Sequence, residues 1–395
     1  MEAGTTVAEI KEETLTENKY FSYNQGPLPD GCKFCVRGEK LVLFVTGLCP
    51  RTCYFCPISD KKYGHDVIYA NERKVLSTED VIQEARLMNA RGAGITGGDP
   101  LMKLERTLEY IRQLKKTFGS SFHIHLYTSL NLVTETTLTR LYEAGLDEIR
   151  FHFDFDDETF WQNIKLAKKF SWKVGAEIPC IPTKVNEMKK VADLIAGHVD
   201  FFNLNELERA DNEHSTLDEM GFQTVHPYSY ATEGSVAVGL EIARHVKEKK
   251  YFYSVHICTA KLKENVQLRN RMKREAEQMK KVFDTVDDEG ILTRGALYLP
   301  ELAPGFKYRA KLETCDKNAL VATLTPLLEK IKKECSLKEE EMVIDKDKPR
   351  ILLSEFHARK FKKKFKMMGL LVAVVQEMPT ADQLEIEVDF LNQDY

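Results

Sequence analysis

The stretch LVLFVTGLCPRTCYFC, residues 41–56, decides how the rest of the chain is read. Its first half is an apolar run that predicts a buried strand. Its second half delivers three thiols directly after that strand, Cys49, Cys53 and Cys56. Three thiolates so spaced can surround one face of a metal cluster. Each iron of a [4Fe–4S] cluster normally takes one thiolate, so three protein ligands leave one iron open. Structural zinc instead takes four closed ligands, commonly as paired CxxC elements. A structural zinc or a redox thiol cluster is the competing reading.

Outward from this stretch, strand-like and helix-like segments alternate. AGITGG (93–98), FHIHLYTSL (122–130), DEIRFHFD (147–154), WKVGAEIPCI (172–181) and VDFFNLNEL (199–207) read as strands. Between them lie helical patterns: VIQEARLMNARG behind the cap Ser77–Asp80, then 106–119, 134–145, 157–170 and 186–198. Such alternation predicts βαβ units and a parallel sheet. About six units between residues 40 and 208 are too few for a complete eight-unit barrel. An open doubly wound sheet or a partial barrel fits, with reactive groups at the C-terminal strand ends.

Composition narrows the class. Of 395 residues 43% are hydrophobic and 30% charged, enough apolar content for a packed core. The net charge of -4 gives no global pull toward nucleic acid or membrane. No apolar run approaches the roughly 18 residues of a membrane span, and the polar N-terminus lacks a signal-peptide pattern. A cytoplasmic protein is expected. The cysteines are nine, an odd number in a long chain, which argues against a secreted disulfide framework.

The spacing Cys49-x3-Cys53-x2-Cys56, with Phe55 before the last thiol, resembles the radical S-adenosylmethionine (radical SAM) superfamily over residues 40–208. A second motif carries the same resemblance. Thr96-Gly97-Gly98-Asp99-Pro100 is similar to the family's GGEP variant, with Asp99 in place of Glu. The resemblance implies an α/β fold built as a partial (β/α)6 TIM-like barrel. It implies a [4Fe–4S] cluster on Cys49, Cys53 and Cys56, S-adenosylmethionine on the open iron, and an electron donor of the reduced ferredoxin or flavodoxin type. One electron then cleaves the sulfonium, and the 5′-deoxyadenosyl radical abstracts hydrogen from a substrate. Gly97, Gly98, Asp99 and Pro100 would hold the methionine amino group, since a missing Cβ lets backbone approach a ligand. Thr128, Ser129 and Asn131 stand where the family often places ribose contacts; a plain polar strand end is the alternative.

The whole chain also resembles a group of archaeal proteins described as related to pyruvate formate-lyase activating enzymes. The shared segments are GCKFC, TGLCPRTCYFCP, GGDP, NLNELE, VHIC and VQLRNR. An activating enzyme needs little beyond the barrel to seat a glycine loop, and the long chain after the sixth strand argues against that role.

Other residues follow from position. Arg150, His152 and Asp154 alternate on the fourth strand, so period 2 points all three one way. They suit a polar substrate or the cofactor carboxylate, or else form a buried ion network. Glu177 resembles polar lumen positions of the family, and Asn203, Asn205 and Glu206 end the sixth strand. Cys32 and Cys35 form a CxxC pair, half of a metal site. The other half could come from Cys258, which shares a strand face with His256, and from Cys180, giving a second site at the mouth of the barrel, zinc or an auxiliary iron–sulfur cluster. Packed core thiols are the alternative for Cys180 and Cys258.

Four divisions are expected: an extension over 1–39, the barrel core over 40–208, a connecting region over 209–285, and a small C-terminal α+β domain over 286–395. Basic segments at 261–281 and 359–366 suggest an RNA surface, or solvated lysines on an amphipathic helix. The substrate is then an RNA or nucleoside, or a small biosynthetic molecule. A metal-binding module without catalysis is the third class, and the glycine motif argues against it.

Overall fold

The structure, a computed structural model, describes residues 15–391. Most of the expected N-terminal extension's first half, residues 1–14, lies outside the described residues. The chain divides into two compact units. The first comprises residues 1–36, 42–68 and 92–266; the second comprises 37–41, 69–91 and 267–395. These divisions fall elsewhere than the expected ones at 40, 209 and 286.

In the first unit we label the strands β1 (Tyr23–Gln25), β2 (Lys40–Phe44, of which residues 42–44 belong to this unit), β3 (Gly92–Thr96), β4 (His123–Ser129), β5 (Glu148–His152), β6 (Lys173–Cys180), β7 (Phe201–Glu206) and β8 (Ser254–Cys258). Their order across the sheet is β1-β8-β7-β6-β5-β4-β3-β2. Neighbours from β3 to β8 pair in parallel. The architecture is an α/β partial TIM-like barrel, as expected. One correction concerns its extent. The segment 251–258, expected in a connecting region, is a further parallel strand beside β7, and β1 closes its outer edge antiparallel. The barrel strand count is therefore larger than six. A second correction is local: the helix expected over 157–170 is a 3-10 segment, Trp161–Lys169.

Alternation sorts the strands into two faces. Ile149, Phe151, Ala176, Ile178, Phe202 and Leu204 are fully buried toward the helices. The other face carries Tyr127, Arg150, Glu177, Asn203 and His256. Register brings Glu177 beside Asn203 and Asn203 beside His256. Cys180 falls on the helix side, close to Gly239 of the helix Ser235–Glu248. A short helix, α1 (Asp30–Val36), meets the N-terminal strand ends. The Gly31 amide donates to Glu148 Oε2 at 3.1 Å. A Cβ on Gly31 would sit 2.4 Å from Arg150 Nη2, so glycine is required for this approach.

The second unit contains an antiparallel sheet in the order Met342–Asp345, Arg350–Leu353, Leu292–Tyr298, Leu371–Glu377, Glu385–Phe390. The helices Lys317–Cys335 and Glu355–Met367 cover one face through Leu324, Leu328, Ile331, Ala358 and Phe365. Phe365, with Phe361 beside it, packs into this core, so the aromatics of the basic segment 359–366 face inward. Among the described residues no helix is long and apolar enough to cross a membrane.

Candidate active site

The backbone at the mouth of the barrel is a zipper between two chain segments. Gly98 N donates to Thr46 O at 2.7 Å, and Asp99 N donates to Leu48 O at 2.8 Å. A Cβ on Gly98 would lie 2.4 Å from Leu48 O, so a side chain here would pry the thiol-bearing loop from the strand end. The expected reason for glycine, close approach to a ligand, is thus joined by close approach of this loop.

Asp99 is engaged within the chain. Its carboxylate accepts from Leu101 N (2.9 Å), Thr128 Oγ1 (2.8 Å), Ser129 N (3.0 Å) and Ser129 Oγ (2.7 Å). It is 1% exposed and does not line the cavity described below. Burial pushes its pKa up in spite of these donors. Asp99 ties the end of β3 to the end of β4, and no lone pair is left over for a methionine amino group. Pro100 is buried at the start of a 3-10 turn, and neither it nor Asn131 lines the cavity.

That cavity, about 830 Å³, opens at the C-terminal strand ends. Cys49, Cys53, Cys56, Phe55, Gly97, Gly98, Thr128, Ser129, His152 and Glu177 all line it. Sequence reasoning missed three residues that hold the thiol loop. Arg51, in the loop itself, pairs with Asp154 at 3.1 Å and keeps a positive charge beside the thiols. Asn212 donates to Cys56 O at 3.0 Å and to Ile58 O at 2.9 Å, while Thr216 N donates to Tyr54 O at 2.9 Å. Asn212 lies 156 residues from Cys56, and no spacing rule could have paired them.

The inner wall is a charge network. Arg150 donates to Glu148 Oε1 (2.7 Å), Tyr127 OH (3.1 Å) and Glu177 Oε2 (2.7 Å). Asn203 and Asn205 also donate to Glu177, at 2.8 and 3.0 Å. Burial works to raise the Glu177 pKa, but Arg150 and the two amides overcome it, and the net shift is downward. Glu177 is therefore a carboxylate. Burial and then Arg51 push His152 down to about 3, so it is neutral near neutral pH. Its Nδ1 faces the Glu177 carbonyl at 3.2 Å and must donate, since a carbonyl only accepts. Arg150 forms a buried ion network, and that network is itself part of the cavity wall.

Comparison with known proteins follows the geometry. The profile of the radical SAM superfamily matches residues 43–195. A protein of Methanocaldococcus jannaschii, described as a proposed glycyl-radical enzyme activating enzyme, is 41% identical over 288 residues, 71% of this chain and 76% of the relative. The chain belongs to the radical SAM superfamily. As a radical SAM enzyme it uses a [4Fe–4S] cluster and S-adenosylmethionine, and it needs a reductant and a substrate. Among solved structures, the radical SAM methyltransferase TsrM from Kitasatospora setae, with tryptophan and a cofactor analogue bound, is similar at a TM-score of 0.36 and 10% identity. That match covers 67% of this chain and spans only 58% of the methyltransferase. Coproporphyrinogen III oxidase from Escherichia coli, a radical SAM enzyme, is similar at a TM-score of 0.35 and 10% identity, covering 87% of this chain and 94% of the oxidase.

The residues present fit the cluster by donor chemistry. Three thiols share one cavity wall with the glycine strand end, and no cysteine is in a disulfide. Burial pushes the Cys49 and Cys53 thiols up to about 11. A ligating thiol must lose its proton, and the cation drives that loss. Among the described residues no group of three or more His, Cys, Asp or Glu is closed around one metal position.

Proposed function

We propose that Cys49, Cys53 and Cys56 hold the cluster, and that Gly97, Gly98, Thr128 and Ser129 flank S-adenosylmethionine beside them. We further propose that a small polar molecule binds over Arg150 and Glu177 and gives up a hydrogen atom there. The observation that carries this reading is shared lining: thiols, glycine strand end and charge network bound one cavity. When bound, the cluster and its cofactor supply an electron and a carbon-centred radical able to abstract hydrogen.

The chain's own groups orient and exclude. Asp99 locks the two strand ends, and Asn212 pins the thiol loop by its carbonyls. Arg51 sets a fixed positive charge against the thiolates. Phe55 and His152, 5.9 Å apart between ring centres, present neutral rings to the cavity. Glu177 keeps its charge and offers an anchor to a cationic or hydroxyl-bearing substrate. Reduction by a ferredoxin- or flavodoxin-type donor in a reducing cytoplasm suits nine cysteines without a disulfide.

The description of the Methanocaldococcus relative favours a second reading, in which the substrate is a glycyl-radical protein. An RNA substrate is less favoured, because the Phe365 side of the basic helix faces a core and Arg359 is paired with Glu355 and Asp389.

The test is anaerobic. The chain is reconstituted with iron and sulfide, reduced with dithionite and given S-adenosylmethionine. About four irons per chain and release of 5′-deoxyadenosine are expected. Cleavage retained in Cys53→Ala would overturn the assignment of the loop. Cofactor turnover stimulated by a small-metabolite extract favours the first substrate reading; stimulation by the protein fraction alone favours the second.

A further inference from the structure

Behind the cavity wall, at the α1 end of the barrel, lies a second group of soft ligands that the radical chemistry does not use. Cys32 is buried in α1. Its Sγ takes Asn203 Nδ2 at 3.3 Å and Arg150 Nη2 at 3.5 Å. Cys35, one helical turn on, lies within electrostatic reach of both Cys32 and Cys258. Asn203, which touches Cys32, is the register partner of His256 on β8. His256 and Cys258 project from one face of β8, about 7 Å apart at the strand rise. Cys32 and Cys35 stand at the i,i+3 spacing of neighbours on a helix, about 5–6 Å apart.

His256 carries the argument. It is 2% exposed, and neither Nδ1 nor Nε2 has a hydrogen-bond partner. A buried imidazole with both nitrogens idle is costly, and a missing ion or water is a standard cause. Here the idle imidazole stands in the same lumen as three thiols. Three sulfurs and one imidazole nitrogen make a closed tetrahedral set for a single zinc-type ion. The pairs come from two rigid elements, the helix α1 and the strand β8. Among the described residues the set is not closed around one point, so binding requires the thiols to turn toward a common centre.

We propose that Cys32, Cys35, His256 and Cys258 bind one divalent soft metal ion, zinc by preference, separately from the radical SAM cluster. The site ties α1 to β8 beneath the cavity, and Cys180, on the helix side of β6, takes no part. All three thiols give up their protons on binding, and the nearby Arg150 guanidinium favours the Cys32 thiolate.

The experiment removes the first cluster and counts what stays. The full chain carrying Cys49→Ala, Cys53→Ala and Cys56→Ala is loaded with zinc, desalted over a weak chelator and analysed for metal and sulfide. About one zinc per chain without sulfide is expected. Replacing zinc by cobalt(II) in the same chain should give intense thiolate-to-cobalt charge-transfer absorption. That spectrum needs no further variant, so it decides the matter even where His256→Ala fails to fold. Adding Cys32→Ser, Cys258→Ser or His256→Ala should lower retained zinc at least tenfold, and Cys180→Ser should leave it unchanged. No retained zinc and no charge-transfer band would overturn the proposal. So would zinc that survives loss of Cys32, or iron with equal sulfide, which would mean a second cluster in place of a single ion.

Discussion

Two buried arginines, one in each unit, show how similar machinery serves different ends. Arg150, in the barrel, is 2% exposed and engages Glu148, Glu177 and Tyr127. Arg350, in the second unit, is fully buried and engages Asp345, Glu377, Tyr298 and Gln383. Each guanidinium also lies near its tyrosine ring, at 5.3 and 5.9 Å. Burial opposes the charge in both, and their anionic partners outweigh it, so both pKa values rise well above the usual range. The difference is access. Arg150, Tyr127 and Glu177 line a cavity of about 830 Å³ beside three thiols, whereas none of the Arg350 group lines it. A perturbed pKa marks a buried network; an open face next to reactive groups marks a candidate site.

The largest effect should come from the ligand loop, which has no counterpart around Arg350. Cys53→Ala should abolish 5′-deoxyadenosine formation and leave the urea unfolding midpoint near that of the parent chain. A chain that still cleaves the cofactor would remove the distinction between the two networks.

Next come the arginines themselves. Arg150→Met takes the guanidinium from buried Glu148 and Glu177, Arg350→Met takes it from Asp345 and leaves Glu377 to Arg294 alone, and each should lose about 3–5 kcal/mol of stability in urea titrations. Only Arg150→Met should also slow cofactor cleavage per folded chain, by about tenfold or more. Equal slowing in both variants would break the comparison.

Asp99→Asn is expected to act as an intermediate case. The amide keeps one oxygen acceptor in place of two, so donors from Leu101 or Ser129 lose their partner. A loss of about 1–3 kcal/mol is expected, read by thermal unfolding. A neutral result there would show that the strand ends hold without the carboxylate.

The smallest effect is a pH slope. His152 is held at about 3, below its ordinary 6.5, by burial and then by Arg51. The unfolded chain therefore takes up a proton that the folded chain refuses between these values. The stability contribution is present above about 6.5 and is lost as pH falls toward 3, at up to about 1.4 kcal/mol per pH unit. His152→Gln should flatten that part of the profile in urea titrations at pH 7, 5.5 and 4.5. An unchanged slope would mean that His152 is hydrated in the open cavity.

The legible part of the site was local. Strand alternation pointed Arg150, His152 and Asp154 to the lumen face, because side-chain direction repeats every two residues, and Glu177 came from the family resemblance. The strand-loop register put Cys49, Cys53 and Cys56 at the C-terminal strand ends for the same reason. Asn212 stayed hidden, since it reaches Cys56 only after the chain has returned from β7. Asp99 was placed at the right strand end, but its clasp was not legible, because its four donors come from three residues on two segments.

The sequence by itself determined the α/β alternation, the thiol loop with its cluster chemistry and the membership of a radical SAM family. Those rest on near-neighbour spacing, which is written along the chain. Tertiary structure alone decided that β8 joins the parallel sheet and that α1 brings a CxxC pair toward His256. It alone turned Asp99 inward as a clasp, and made one arginine network a cavity wall while leaving the other apart from the cavity. Those outcomes depend on which distant strands pair and which polar groups lose their water together, and no single stretch of chain records either.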